Sequence, residues 1–483
     1  METINDYWKR LGKLDTSSRL QICEDISRHR VMKNMSKPYS MINPLLEPYN
    51  HELELIALHS VIVPERTGLR ITRSDWLKSC TKFIREQRFI TENPFKNAMI
   101  MIATLSYHQF SGQQSYEQLY YRYNFMYNFQ NDIIDMKYVL TSKYGIEYNE
   151  IRRITYQLLL WSTMSSEFSY SLIIQQYLKP DLLNKIHFLV RKLEDFKEDF
   201  NKVSNHNLIY SFNDYNLLAK YPIILYSNKY YIPYVPNIVL ATTKSLMFDL
   251  TIGNDPLRQL IGKEVFESYI GHLLKHSEVT KDLKIVDEFK YDSTKLSSDY
   301  IVISRSHAVF IEAKFMNVGL KLRMFDDDSM VVLFERLADH LVQVYKNMHN
   351  YSLGLMNHKL PRDLTCYGLV VIYDDLYLLK DKIYDLAVEK INGEFSEKID
   401  KSILTRQTII VPLHSFEMIL NYSTMNFIEY FMDVFQNKTA YLDYSYAPLV
   451  LSETSRIFDY DKYIDSLEVY SDEELKEYWN LDD

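Results

Sequence analysis

Three observations predict a mixed α/β protein with a long helical front region. Up to about residue 204, apolar side chains recur at three- and four-residue spacing with few prolines, the period of a single helix face. From about 207, short β-branched and aromatic runs separated by Asn and Pro take over, which is the texture of strands and turns. Beyond 255, helical and strand-like stretches alternate, as they do when helices cover a sheet.

In chain order, helices are expected over 93–110, 148–178 and 182–203, with Asn93 and Pro94 opening the first, since proline suits the first helical position. Strands are expected at 208–212, within 221–235 and at 238–242. A helix over 255–277 follows, with Asp255 as N-cap and Pro256 in its first turn. Then come a strand in 283–291, two strands within 298–315, a helix over 329–350, a strand at 365–373, a helix over 374–391 and a strand at 408–413. The expected organisation is a helical recognition or regulatory region (1–204), a short β-rich connecting segment (205–254), an α/β domain (255–435) and an acidic C-terminal tail (436–483).

Composition narrows the function. The chain has 483 residues and a net charge of −9, long enough for two or three domains with substantial cores. Residues 443–483 hold 12 acids against 3 bases, so the tail carries the whole excess and the remainder is near neutral. Local basic surface for nucleic acid therefore remains open. The longest uncharged apolar run, near residue 100, is about nine residues, far short of the roughly 18–20 that span a bilayer. The start has no apolar signal-peptide segment, and the reading is a cytoplasmic protein with no membrane partner. Cys23, Cys80 and Cys366 are too scattered for a CxxC site or a disulfide framework. His51-Glu52 lacks the second histidine of a zinc-protease helix, and the glycines at 253 and 262 are too far apart for a phosphate loop. The run 120–129 is rich in tyrosine and could be a base-stacking platform, although heavy use of Tyr, Asn, Ile and Lys throughout the chain explains it equally well.

Chemistry concentrates in 298–315, "SDYIVISRSHAVFIEAKF", two apolar runs around a polar turn. With a two- or four-residue turn, paired positions sum to 611 and Asp299 faces Glu312, while Lys314 shares their face. A three-residue turn would slip the register and send Glu312 to the other side. Facing carboxylates repel, and a divalent cation such as Mg²⁺ or Mn²⁺ relieves that conflict while binding phosphate oxygens. A neighbouring lysine then orients or helps deprotonate a water, which points to phosphodiester hydrolysis. The competing explanation is a salt-bridged hairpin edge, because the acid-x-Lys triplet recurs at 135, 195, 282, 288 and 474.

The same residues resemble the core motif of the PD-(D/E)XK nuclease superfamily, an acid opening one strand and (D/E)-x-K in the next. The resemblance covers roughly 258–415, and Ser298 stands where the motif often has proline. It implies an α/β restriction-endonuclease-like nuclease core behind the mainly α-helical N-terminal region. It also implies metal ligation by Asp299, Glu312 and the Ala313 carbonyl, and Lys314 as the catalytic lysine. A catalytic glutamate from the preceding helix would be Glu267, with Glu264 the lesser candidate, and a glutamine from the following helix would be Gln343. Lys321 and Arg323, just after the motif, are either phosphate contacts or part of a solvated loop. The expected partner is nucleic acid, DNA ahead of RNA, with room for a protein trigger or homo-oligomer. The leading function is a metal-dependent DNA endonuclease of bacterial defence. An RNA-cleaving toxin-like nuclease, a transposase-associated endonuclease and a non-catalytic scaffold are the alternatives.

Overall fold

The computed structural model describes residues 4–36, 48, 50–66, 71–86, 115–164, 169–176, 178, 180–203, 216–316, 327–374, 380–436 and 455–467. The expected helix at 93–110, the strand at 208–212 and the basic pair Lys321 and Arg323 lie outside them. The described chain is mixed α/β with two small mixed sheets, and it divides into two compact units. One is built from residues of 1–131 and 135–252 with Leu467, the other from 132–134 and 253–466.

The first unit is mainly helical. Helices α1 (Thr16–Ser36) and α2 (Asn50–Ile62) pack around buried Tyr7, Leu20, Ile56 and Trp76. Helix α3 (Met136–Tyr144) is capped at its start by the Asp135 carboxylate and at its end by Gly145, whose φ of 73° suits a residue without Cβ. The tyrosine-rich run lies in a helix, Tyr116–Asn128, with Tyr120, Tyr121, Tyr123 and Tyr127 all buried. Its rings are core, and no stacking platform forms there. The expected helix over 182–203 is interrupted by strand β1 (Val190–Lys192), which pairs in parallel with β2 (Ile223–Tyr226). Strand β2 then turns antiparallel into β3 (Lys229–Tyr231) through Ser227 and Asn228, both at positive φ, the tight hairpin turn that favours asparagine. Residues 238–242, expected as a strand, belong to the helix Pro236–Thr242, which Pro236 opens at its preferred position. Helix α4 (Lys244–Thr251) follows. Leu217, Leu218, Ile224 and Tyr231 join the core around Tyr7 and Trp76, so 216–252 folds as part of the helical unit rather than as a connector.

The second unit positions the candidate site. A continuous helical stretch starts at Asp255, capped not by Asp255 itself but by Asn254, whose Oδ1 accepts from Leu257 N. It passes through a π-helical turn, Ile261–Phe266, into α5 (Glu267–His276). A five-stranded sheet follows in sequential order: β4 (Lys284–Asp287), β5 (Tyr300–Ile303), β6 (His307–Lys314), β7 (Thr365–Ile372) and β8 (Thr408–Pro412). Strands β4–β6 are antiparallel and β6–β8 parallel. Helix α6 (Asp327–Ser352) connects β6 to β7, and α7 (Lys380–Glu394) leads towards β8. Parallel neighbours need such crossovers. Ile301, Ile303, Ala308 and Phe310 meet Leu337, Leu341 and Val344 of α6 and Ile383 and Ala387 of α7 in one apolar cluster. Beyond β8 come α8 (Leu413–Tyr422) and the helix Phe427–Gln436, and short helices lie at Glu278–Thr280, Lys401–Gln407 and Tyr460–Asp465.

Candidate functional site

The β5–β6 register is fixed by its turn. Tyr300 pairs with Ile311 and Ile303 with Ala308, while Ser304 N donates to the His307 carbonyl. This is the 611 register, which sets Asp299 opposite Glu312. Along β6, residues 308, 310, 312 and 314 share one face; the first two enter the α6-side core and the last two carry the charges. Asp299, immediately before β5, turns its carboxylate onto the β6 backbone, with Ala313 N donating to Oδ2 at 2.7 Å. Lys314 Nζ lies 2.8 Å from Glu312 Oε2 and 3.6 Å from Asp299 Oδ2. One ammonium therefore reaches both acids.

Burial sets the electrostatics. Asp299 is 6% exposed and Glu312 is fully buried. Burial first, and the Asp299 charge second, push the Glu312 carboxyl up to about 7, despite the counter-pull of Lys314. Glu267, at the start of α5, is likewise raised to about 7 by burial and then by Asp299. Its carboxylate pairs with Lys263 at 2.9 Å. Desolvation works against the Lys314 charge, yet Glu312 and Asp299 outweigh it and raise its pKa, so the lysine stays protonated. Three carboxylates thus share a largely dry site with too little positive charge to keep all of them ionised.

The remaining expectations separate. Glu264 lies half-buried in the π-helical turn, three residues before Glu267. Gln343 is exposed on α6, turned away from the sheet-facing Leu341 and Val344, so it does not join the cluster. Its place is taken one turn later by Asn347, whose Nδ2 donates to Glu312 Oε1 and to Ser298 Oγ, each at 3.1 Å. Sequence reasoning passed over Asn347. The available signal was its place three residues after Val344 and beside Met348, at the edge of the buried stripe of α6. His340, also on α6, is held neutral: burial and then the Lys314 charge lower its pKa to about 4. Among the described residues, no three His, Cys, Asp or Glu side chains form a ready metal cluster. In comparisons with known proteins, no family model, curated protein or solved structure matches this chain.

Proposed function

We propose that the chain is a metal-dependent phosphodiesterase, a DNA endonuclease in its leading form, with Asp299, Glu312, Lys314 and Glu267 as its working residues. The observation that carries the reading is the charge balance: an in-register, buried acid pair plus Glu267, with two of the three carboxyls raised to about 7. A divalent cation fits that donor set, because hard oxygen ligands with excess negative charge are what Mg²⁺ or Mn²⁺ takes. Asp299, Glu312 and the Ala313 carbonyl would hold it. When bound, it would supply Lewis-acid stabilisation of charge on a phosphate oxygen.

The protein's own groups supply the rest. In hydrolysis, a water oxygen forms the new P–O bond, while the scissile P–O bond breaks with its electron pair on the departing sugar oxygen, which takes up a proton. Lys314, held cationic, donates to the water or to a non-bridging phosphate oxygen; its raised pKa makes it a poor base at neutral pH. Glu267, with a carboxyl near 7, is suited to receive the water's proton. Asn347 holds Glu312 in place, and neutral His340 adds no second positive charge beside Lys314. In biological terms the reading fits a nuclease directed against phage or other foreign DNA, with RNA cleavage as the nearest variant; this role rests on analogy.

A second reading has its own support: Lys314 already bridges both acids, which is how a structural ion pair in a non-catalytic scaffold would look. The test is incubation of the purified chain with plasmid, linear DNA, single-stranded DNA and RNA, with and without Mg²⁺ or Mn²⁺, beside Lys314→Ala. Metal-dependent cleavage that Lys314→Ala abolishes, with its circular dichroism unchanged, is expected. A chain that cuts none of these substrates, or a variant that cuts at the wild-type rate, overturns the proposal in favour of the scaffold.

A further inference from the structure

The first unit contains a cavity of about 240 Å³ where β1 and the segment leading into β2 meet the end of α3 and α4. Its size falls just below the usual range of ligand pockets, about 300–1,000 Å³. Its chemistry is two-sided. Tyr144 and Phe188 line it with ring centroids 4.7 Å apart, and Tyr221 adds a third ring. Two cations lie against that third ring: Arg191 at 5.4 Å and Lys220 at 5.3 Å from its centroid.

Both cations are held from behind. Arg191 pairs with Asp199 through Nε and Nη2, at 2.8 and 2.5 Å. A guanidinium has five N–H donors, so capacity for an oxyanion remains. Lys220 pairs with Asp249, which also accepts from the Tyr144 hydroxyl at 2.5 Å and pairs with Lys143 at 3.0 Å. Asp249 is the only acid lining the cavity among its described walls, and two lysines and a tyrosine already share it. Burial pushes its carboxyl up, yet the bonds from Lys220, Tyr144 and Lys143 outweigh this and hold it below the usual range. It therefore acts as a fixed anion that aims the lysine rather than as a repelling wall.

We propose that this cavity binds a mononucleotide, the base against the Tyr144–Phe188 rings and the phosphate between Arg191 and Lys220, which Tyr221 holds in place. Rings accept any base through its π-face, and paired cations held by acids behind them suit a phosphate. The cavity is too small to enclose a dinucleotide. All of these residues belong to the first unit, so the inference stands apart from the hydrolytic reading of the second.

The experiment is calorimetric titration of the full chain with AMP, GMP, CMP and UMP, with adenosine and inorganic phosphate as half-ligands. At least one mononucleotide is expected to bind more tightly than either half-ligand. Tyr221→Leu and Lys220→Gln should each weaken it by about tenfold or more. Lys220→Gln leaves Lys143 and Tyr144 on Asp249, so it keeps the test alive should Tyr221→Leu not fold. No binding by any mononucleotide, equal binding of phosphate alone, or unchanged affinity in a folded Lys220→Gln protein overturns the proposal.

Discussion

At the scale of single residues, Glu312 behaves as a carboxyl that its surroundings prefer neutral. Its pKa rises from 4.5 to about 7 in the fold, through burial and then through Asp299. For an acid shifted upward, the folded state holds its proton longer than the unfolded one, so ionisation costs stability as pH rises from about 4.5 through 7. Removing the charge should reverse that loss. Glu312→Gln, metal-free, is expected to match the wild type near pH 5 and to melt several degrees higher at pH 8. Comparing the two proteins matters, because neutral buried His59 and His340 pull the wild-type curve the other way below about pH 6.5. Mg²⁺ should raise the wild-type melting temperature at pH 8 and leave Glu312→Gln nearly unmoved. Melting curves that stay parallel from pH 5 to 8 would show that Glu312 ionises at its ordinary value.

Elements place that residue, and α5 packs tightly against β5 at one glycine. Gly271 leaves room for Tyr300: a Cβ there would come within 2.2 Å of its hydroxyl and 2.6 Å of its Cζ. The Tyr300 hydroxyl in turn donates to the Glu267 carbonyl at 3.0 Å, so the contact fixes the helix end that carries the third acid. Gly271→Ala should cost about 1–3 kcal/mol, as overpacking does, and lower cleavage more than Ser268→Ala on the same helix. Adding Tyr300→Leu should recover much of the stability by making room; calorimetry of the double variant checks this. How much of this was legible follows the same physics. The α/β order from 255 to 413 could be read because alternation is a local signal, and the 611 register could be read only on condition of a two- or four-residue turn. The interrupted helix at 190–192 could not, since β1 exists only through pairing with distant β2. The apolar stripe of α6 hinted at Asn347, but the choice of it over Gln343 also depends on how α6 rolls against the sheet, and the π-helical turn between Glu264 and Glu267 left no local signal.

At the scale of the whole molecule, the acidic C-terminal region divides into two parts with different physical roles. Residues 455–467 include a segment built into the second unit: Ile457 bridges to Ser277, Phe458 N donates to the His276 carbonyl, and Arg456 N donates to the carbonyl of buried Asn421. Arg456 also pairs with Glu278 at 2.8 Å. Ile457 and Tyr460 are 4% and 6% exposed, and burying side chains of that size is worth about 1.5–3 kcal/mol each. Ending the chain after Leu442 should therefore destabilise this unit, and any gain of activity it produced would be confounded by partial unfolding. Residues 468–483 hold seven acids against one lysine, and their deletion removes charge without touching those contacts. If that charge repels phosphate backbone from the body, the chain lacking 468–483 should bind DNA more tightly than the full chain at low salt. The gap should close as the Debye length shrinks from about 30 Å at 0.01 M to about 8 Å at 0.15 M salt. Fluorescence anisotropy with a labelled duplex across that range reads the effect directly. A shortened chain that melts like the parent and binds with the same affinity at 0.01 M salt would leave the acidic segment a solubilising role alone.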